Sequence, residues 1–242
     1  MQDASRSGLS ELSQQQYRLA VKRTNLRYAR AALSDRLYVH FKLQMDPVAR
    51  ALCGLGHLGD VLDIGAGRGQ FGLLLLEAGL ASGVEGFDSD ERKVIAAARA
   101  AAGEAHFEHV RIQCRELPAA DSVLLIDVLH YLPPAEQERL LQRIVASLKP
   151  GGRVLIRETD AGSPLKSWWA RSAERIAGRV GINRSDGLSF LTGDHLQQML
   201  RAVGLSGARV KAHRSQISNM FVLAERSPGQ SNSSSKGFEK VS

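Results

Sequence analysis

This sequence is poor in cysteine and in aromatic side chains. Its two cysteines, Cys53 and Cys114, form neither a metal-binding motif nor an evident disulfide pair. A small scaffold held together by disulfides or by structural zinc is therefore excluded. Aromatic residues make up only 5% of the 242 residues, so aliphatic side chains must fill most of a core drawn from the 43% that are hydrophobic.

Long apolar segments are also missing. No run approaches the roughly 20 apolar residues that a membrane-spanning helix needs. The first residues, 1–11, have no apolar stretch of the kind found in a secretory signal. We therefore expect a cytoplasmic protein without a transmembrane segment, a location that the low cysteine content also fits. Acids and histidines show no metal-ligand spacing, so we expect no metal.

Acidic residues are outnumbered by basic ones. The formal net charge is +7, and the first 50 residues contribute nine Lys or Arg against four Asp or Glu. A basic surface suits nucleic acid, anionic lipid or an acidic protein, but a solvated basic surface explains the balance equally well. Charge alone therefore selects no partner.

Glycine is abundant, and three glycines lie in one short stretch between two apolar runs. The runs are 61–64 and 73–76, and Gly65, Gly67 and Gly69 lie between them. This pattern predicts a buried strand that turns into a helix through a loop with few side chains. A ligand can approach the backbone of such a loop closely.

Two ligand classes use this kind of turn. The dinucleotide motif G-x-G-x-x-G is not matched, because Gln70 occupies the place of its third glycine. Asp63, just before the loop, would repel a pyrophosphate and suits a cationic ligand. The pattern Asp-x-Gly-x-Gly-x-Gly resembles motif I of the class I S-adenosylmethionine-dependent methyltransferases, whose cofactor carries a sulfonium and an ammonium. An ordinary glycine-rich turn is the alternative. The resemblance implies cofactor binding by Asp63, Gly65, Ala66, Gly67 and Gly69.

A second acid follows the next predicted strand. Asp88 ends the strand 83–88, and an acid about 20 residues beyond the glycine loop is placed to bind a ribose diol. In the methyltransferase family the equivalent acid does so, and the resemblance extends to Ser89. Either Asp88 or Asp90 could instead cap the helix predicted from residue 91. We expect Asp90 to be the cap and Asp88 to bind the cofactor.

Polar side chains also end two later strands. Asp127 ends the apolar strand 121–127, and its resemblance to the family suggests that it borders the methionine end of the cofactor. His130 and Tyr131 follow, and Glu158 comes at the end of the fifth strand. All three are candidate general bases that face the substrate, although a hydrogen-bonded structural role explains His130 at least as well. This segment resembles the small-molecule branch of the family and lacks the Asp-Pro-Pro-Tyr motif of enzymes that act on DNA bases.

The third strand and the turn before the fifth complete the resemblance. Many relatives carry an acid after the third strand that contacts adenine; here strand 107–113 is followed by Cys114, Arg115 and Glu116, and Glu116 is the candidate substitute. The Lys-Pro-Gly-Gly turn at 149–152 is a second family signature, since Pro ends a helix and Gly permits the reversal.

The order of these elements predicts an α/β fold. Five strands alternate with helices, and two further strands, 208–214 and 218–225, close the sheet as a hairpin. The resemblance implies a doubly wound, Rossmann-like sheet of seven strands in the order 3-2-1-4-5-7-6, with strand 7 antiparallel.

Three regions follow from this reading of the chain. Residues 1–57 are expected to form a helical N-terminal cap, whose apolar face the sheet should cover. Residues 58–226 are expected to form the methyltransferase domain, with a lid insertion at about 161–190 that contains Trp168 and Trp169. A core-packed helix with a solvated arginine face is the alternative for this insertion. The Ser-rich residues 227–242 are expected to be disordered.

The resulting hypothesis is methyl transfer from S-adenosylmethionine to a small-molecule acceptor, at oxygen or carbon. The segment Tyr38-x-x-Phe-Lys-Leu-x-x-Asp-Pro-Val is similar to methyltransferases of bacterial aryl-polyene or fatty-acid-like gene clusters. This likeness implies an aromatic or acyl acceptor, presented by an acidic acyl carrier protein, and substrate contacts from Tyr38, Lys42, Trp168 and Trp169.

Two other functions stay open. One is a nucleic-acid methyltransferase, which charge favours but which lacks an aromatic-rich basic motif, so we expect no nucleic acid. The other is a non-catalytic partner protein that keeps the fold. A peripheral contact with a membrane is also compatible with the basic cap. Nothing in the sequence predicts an oligomeric state.

Overall fold

The computed structural model describes residues 12–159, 191–209 and 219–226. The predicted lid at 161–190, with Trp168 and Trp169, lies outside the described residues, as does the tail at 227–242. The predictions made for these segments therefore stay predictions.

The described residues form seven α-helices and seven strands. The helices are α1 (Gln14–Arg27), α2 (Leu33–Met45), α3 (Pro47–Cys53), α4 (Gln70–Glu77), α5 (Glu91–Ala101), α6 (Pro134–Ser147) and α7 (Gly193–Ala202). The strands are β1 (Asp60–Ile64), β2 (Gly83–Asp88), β3 (His106–His109), β4 (Ala120–Ile126), β5 (Leu148–Thr159), β6 (Leu205–Arg209) and β7 (Asn219–Arg226).

All strands belong to one sheet in the order β3-β2-β1-β4-β5-β7-β6. The first five are parallel, and β7 runs antiparallel to both β5 and β6. The predicted fold class, α/β and doubly wound with a Rossmann-like sheet, is confirmed together with its strand order. Because β1, β2 and β4 are parallel neighbours, their carboxyl ends bring Asp63, Asp88 and Asp127 to one edge of the sheet.

The sheet is buried on both faces, as a central parallel sheet must be. Successive residues of β1 point to opposite sides: Val61 packs in the core that also contains α4 and the cap, whereas Leu62 and Ile64 pack in the core that contains α6 and α7. Asp63 therefore points to the same side as Val61, toward α4 and the cap.

Three helices begin at side-chain caps, of which the Asp90 cap was predicted. Asp46 accepts a hydrogen bond from the first turn of α3, where Pro47 occupies the first helical position. Asp90 accepts two amide hydrogen bonds at the start of α5, and Thr192 accepts one at the start of α7. Each cap satisfies amides that a helix N-terminus leaves without an intrahelical partner.

Several boundaries differ from the prediction. The helical cap expected at 1–57 contains three separate helices in its described part, since α1 ends at Arg27, α2 ends at Met45 and α3 begins at Pro47. The third strand ends at His109 instead of residue 113, because its neighbour β2 ends at the paired Asp88, whose carbonyl oxygen still accepts from the Val110 amide. Beyond that point the chain leaves the sheet and forms a short 3-10 turn.

The cap packs against the domain through α1 and α2. The buried Tyr28 hydroxyl donates to the Arg68 carbonyl oxygen over 2.5 Å, and Arg27 pairs with Glu77 on α4 at 2.6 Å. The methyltransferase domain therefore covers only one face of the cap. A second apolar face, on α2, remains exposed, although the sheet was expected to cover the apolar face of the cap. Among the described helices, none is both long enough and apolar enough to span a bilayer.

Candidate active site

A cavity of about 500 Å³ opens at the carboxyl edge of the sheet, between α2 and the ends of β1, β2 and β4. Apart from Glu116, thirteen predicted site residues lie in the described part of the chain, and nine of these thirteen line this cavity. They are Tyr38, Lys42, Asp63, Gly65, Ala66, Asp88, Ser89, Asp127 and Tyr131. The other four, Gly67, Gly69, His130 and Glu158, lie next to it without lining it.

The glycine loop needs glycine for its backbone and for its close contacts. Gly65, Gly67 and Gly69 all have positive φ values, between 57° and 73°, which side-chain-bearing residues rarely adopt. A side chain at Gly65 would also run into Val128, and a Cβ at Gly69 would lie 2.6 Å from the Phe107 ring. The loop therefore presents backbone, and almost no side chain, to the cavity.

Asp88 is held at the cavity wall by two amides. Its Oδ2 accepts from the Gly67 amide and its Oδ1 accepts from the Asp90 amide, each at 2.8 Å. Asp90 itself caps α5, as the sequence predicts. Each carboxylate oxygen of Asp88 keeps a second acceptor position, and the pair can still receive hydroxyl donors from a ligand.

Asp63 is buried without a charged partner. It is 2% exposed, its Oδ2 has no hydrogen-bond partner, and no base among the described residues forms an ion pair with it. Burial, assisted by the nearby Asp88 carboxylate, raises the pKa of Asp63 to about 7. A buried acid of this kind beside a cavity fits a ligand that brings a cation or a strong donor.

The opposite wall of the cavity contains a buried group of four alternating charges. The Arg157 guanidinium bonds to the Asp127 carboxylate and lies 3.6 Å from Asp46, and Lys42 lies 2.7 Å from Asp46 and 3.7 Å from Asp127. Burial opposes ionisation of Asp46, but Arg157 and Lys42 still hold its pKa below the usual range. This group ties α2 and α3 of the cap to the ends of β4 and β5.

Glu158 and His130 form a second buried pair. Glu158 Oε2 accepts from His130 Nδ1 at 2.6 Å, and its Oε1 accepts from the amides of Val128 and Leu129 at 2.9 and 2.7 Å. The His130 and Glu158 side chains are only 3% and 1% exposed. Glu158 thus organises the loop after β4, and His130 is hydrogen-bonded within that loop.

Tyr131 and Tyr38 bring aromatic rings to the cavity. The Tyr131 ring packs against the His130 ring at 4.1 Å, and burial raises the pKa of the Tyr131 phenol, with Asp127 adding to the effect. The phenol is therefore a hydrogen-bond donor at neutral pH and a poor base. The Tyr38 ring lies under the Arg68 guanidinium at 4.2 Å, which fixes it beside the glycine loop.

Three potential metal ligands meet on the neighbouring strands β2 and β3. The ligand atoms of Glu85, His106 and Glu108 all lie within 4.8 Å of one another. The Arg115 guanidinium is 3.3 Å from Glu108 and 3.8 Å from Glu85, so a cation already balances these acids. The group is not part of the cavity.

Comparison with known families decides the assignment. A family model described as a methyltransferase domain matches residues 25–209, well over half of the chain. The chain belongs to this methyltransferase family. Its sheet is that of the class I S-adenosylmethionine-dependent methyltransferases. A comparison with curated proteins finds no match.

Solved structures of other methyltransferases share the fold. An O-methyltransferase family protein from Burkholderia thailandensis is 20% identical with a TM-score of 0.62, and the match covers 84% of this chain but only 63% of that one. DhpI in complex with S-adenosylhomocysteine is 18% identical with a TM-score of 0.60, over 87% of this chain and 98% of that one. The N-methyltransferase NodS from Bradyrhizobium japonicum, also in complex with S-adenosylhomocysteine, is 16% identical with a TM-score of 0.56, over 85% and 99% of the two chains.

The methyltransferase cavity also contains residues that the sequence did not predict. Val110, Arg111, Ile112 and Gln113 line it directly after β3, whereas Glu116, the predicted adenine contact, does not. The apolar alternation of this segment predicted a longer strand, so its position in a loop at the sheet edge was not recognised. The signal that could have found these residues is their place after a parallel strand, where ligands bind in open α/β sheets.

Proposed function

We propose that this methyltransferase transfers the methyl group of S-adenosylmethionine to a small-molecule acceptor, at a hydroxyl oxygen or an activated carbon. The observation that carries the proposal is a cavity that joins Asp63, whose buried Oδ2 has no hydrogen-bond partner, with the fixed acid Asp88 and two tyrosines. When bound there, S-adenosylmethionine supplies a methyl group that its sulfonium makes electrophilic.

The residues on the β1–β2 side fit this cofactor. The backbone of the loop at Gly65 and Gly67 admits a ligand at close range, because no side chain stands in the way. Asp88 accepts hydrogen bonds from the ribose diol with the acceptor positions that its two amide bonds leave free. Asp63 pairs with the cofactor's ammonium, which supplies the donor that its buried Oδ2 lacks.

The residues on the α2 and β4 side receive the acceptor. Tyr131 stays protonated at neutral pH and donates a hydrogen bond that orients an acceptor oxygen. Tyr38 offers a ring face to an aromatic or acyl acceptor, and Lys42 lies beside it with its charge balanced by Asp46. Alignment and the exclusion of water are the main contributions that the protein must make to this reaction.

His130 and Glu158 support the acceptor side indirectly in this proposal. Neither residue lines the cavity, and each is engaged by the other. They act as positioning residues, since they hold the loop that carries Tyr131. The presentation of the acceptor by an acidic carrier protein stays a prediction from the sequence.

Methyl transfer can be tested with S-adenosylmethionine labelled in its methyl group. The purified chain is incubated with hydroxylated aromatic acids, with acyl thioesters and, separately, with RNA and DNA. We expect label in a small acceptor, and we expect Tyr131→Phe to lower kcat by about tenfold without changing the affinity for S-adenosylhomocysteine. Label in nucleic acid alone would overturn the proposed acceptor class. Unchanged kcat in Tyr131→Phe would overturn the role of this phenol.

A further inference from the structure

The helical cap leaves a large apolar face in water. Seven of the eight large hydrophobic side chains that are exposed in the described residues lie in α1 and α2. Leu33, Leu37, Phe41 and Met45 recur every four residues along α2, so they share one side of the helix, which we call the outward face. Their exposed fractions range from 47% to 76%. Exposed hydrophobic residues usually occur singly, and a contiguous set marks an interaction surface.

The outward face is not the side of α2 that packs on the domain. Val39 and Leu43 occupy that other side and are completely buried. The helix therefore has apolar residues on two sides, of which folding uses one. The outward face extends beyond any ligand pocket, because Leu33 and Leu37 also line a groove of the cap whereas Phe41 and Met45 line neither that groove nor the cavity at the sheet edge.

The exposed charges of the described part of the cap are basic. Residues 12–57 contain eight Lys or Arg and two Asp or Glu. Both acids are only partly exposed and are already paired, Asp35 with Arg68 and Asp46 with Lys42. Six of the bases are exposed, and they are Arg18, Lys22, Arg23, Arg30, Arg36 and Arg50. The described part of the cap thus exposes positive charge without exposed negative charge.

Apolar and basic side chains also alternate in the groove between α1 and α2. This groove has a volume of about 480 Å³, and Leu26 and Leu37 line it beside Arg18, Lys22 and Arg36. Apolar side chains flanked by bases are the combination that helices lying in a membrane interface use, where anionic headgroups attract the bases.

We infer that the outward face binds the surface of an anionic lipid membrane. Phe41 and Met45 enter the boundary between headgroups and acyl chains, and the exposed bases contact lipid phosphates. A membrane fits better than an acidic protein, because the outward-face side chains project into solvent and need no matching pocket. Tyr38 is exposed beside this face and also lines the cavity, so an apolar acceptor could enter there from the bilayer. This route for the acceptor rests on the proposed function, whereas membrane binding does not.

Flotation of the full chain with lipid vesicles tests the inference. We expect binding to mixed phosphatidylcholine–phosphatidylglycerol vesicles, weaker binding at high salt, and little binding to phosphatidylcholine alone. The double variant Phe41→Ser/Met45→Ser should bind about tenfold more weakly. Ile95→Ser is its matched control, because Ile95 is also exposed, at 44%, but lies on α5.

Two charge-reversal variants, one on the cap and one on α5, complete the test. Arg18→Glu/Lys22→Glu should weaken vesicle binding, and Arg99→Glu on α5 should not. Asp88→Ala should bind vesicles like the wild type, which separates a failure of this surface from a failure of the cofactor site. The inference is wrong if the chain does not bind anionic vesicles, or if Phe41→Ser/Met45→Ser binds them as well as Ile95→Ser does. It is also wrong if an acidic carrier protein binds this face and vesicles do not.

Discussion

The acids at the two halves of the carboxyl edge differ in their partners. On the β1 side, Asp63 is buried with an unpartnered oxygen and no counter-charge among the described residues. On the β4–β5 side, Asp127 also has one unpartnered oxygen, but its other oxygen bonds to the Arg157 guanidinium. Glu158 bonds to His130 and two amides. Burial alone therefore does not distinguish Asp63 from Asp127, but the presence of a counter-charge beside the carboxylate does.

The difference in counter-charge has a physical consequence for the acids on each side of the sheet edge. A buried acid with a full set of partners stabilises the fold, and removing it leaves donors without an acceptor. A buried acid without a partner destabilises the ligand-free protein, and a cationic ligand relieves that cost. The comparison thus predicts that substitutions on the two sides will have opposite effects on stability.

Removal of Glu158 should have the largest effect. Glu158→Ala leaves two buried amides and His130 Nδ1 without their acceptor, and should lower the free energy of unfolding by about 3–5 kcal/mol, measured by urea denaturation. Glu136→Ala is the control, because its ion pair with Arg139 lies at the surface and should change stability by less than about 0.5 kcal/mol. A stable Glu158→Ala protein without methyl transfer would instead make Glu158 a catalytic residue.

Asp63 should make the ligand-free protein less stable as the pH rises. Its pKa is about 7 in the folded chain against the ordinary value of 3.8, so between these values the unfolded chain has lost a proton that the folded chain keeps. The cost of this difference is on the order of 4 kcal/mol when fully developed above pH 7. Asp63→Asn removes it, and should be the more stable protein at pH 8 but not at pH 4.

The measurement is thermal or urea unfolding of both proteins across this pH range, without ligand. The comparison between the two halves fails if Asp63→Asn is less stable than the wild type at pH 8, because Asp63 would then have a partner that stabilises its charge.

Asp88 should matter for binding more than for folding. Asp88→Ala should weaken S-adenosylhomocysteine binding about 100-fold, or about 2.7 kcal/mol, as measured by titration calorimetry. Asp90→Ala is the matched control, because Asp90 caps α5 and its loss should lower stability by about 1 kcal/mol while affinity changes little. Equal affinity in the two variants would remove Asp88 from the cofactor site.

The sequence predicts the β1–β2 half of the site well, because that half is local. Asp63, the glycine loop and Asp88 are close in the chain, and their backbone requirements appear as glycines at fixed spacing. The strand order also follows, since the family resemblance and the alternation of strands with helices agree with the sheet that forms.

The β4–β5 half could not be predicted in the same way. His130 and Glu158 are 28 residues apart and meet only because β4 and β5 pair in parallel. Sequence patterns identified both as polar residues at strand ends but could not distinguish a catalytic base from a buried pair. The exposed face of α2 was likewise expected to be covered, because an apolar helix position does not reveal which side of the helix the domain will bury.

The most direct test of the account is the number of protons released when S-adenosylhomocysteine binds. Calorimetric titration at pH 6, in buffers with different ionisation enthalpies, measures this number. If Asp63 pairs with the ligand's ammonium, it must ionise from a state that is mostly protonated at this pH, so most of one proton should be released. Asp63→Asn should abolish the release. Tight binding by the wild type without proton release would contradict the account, because the unpartnered acid would then have no part in holding the cofactor.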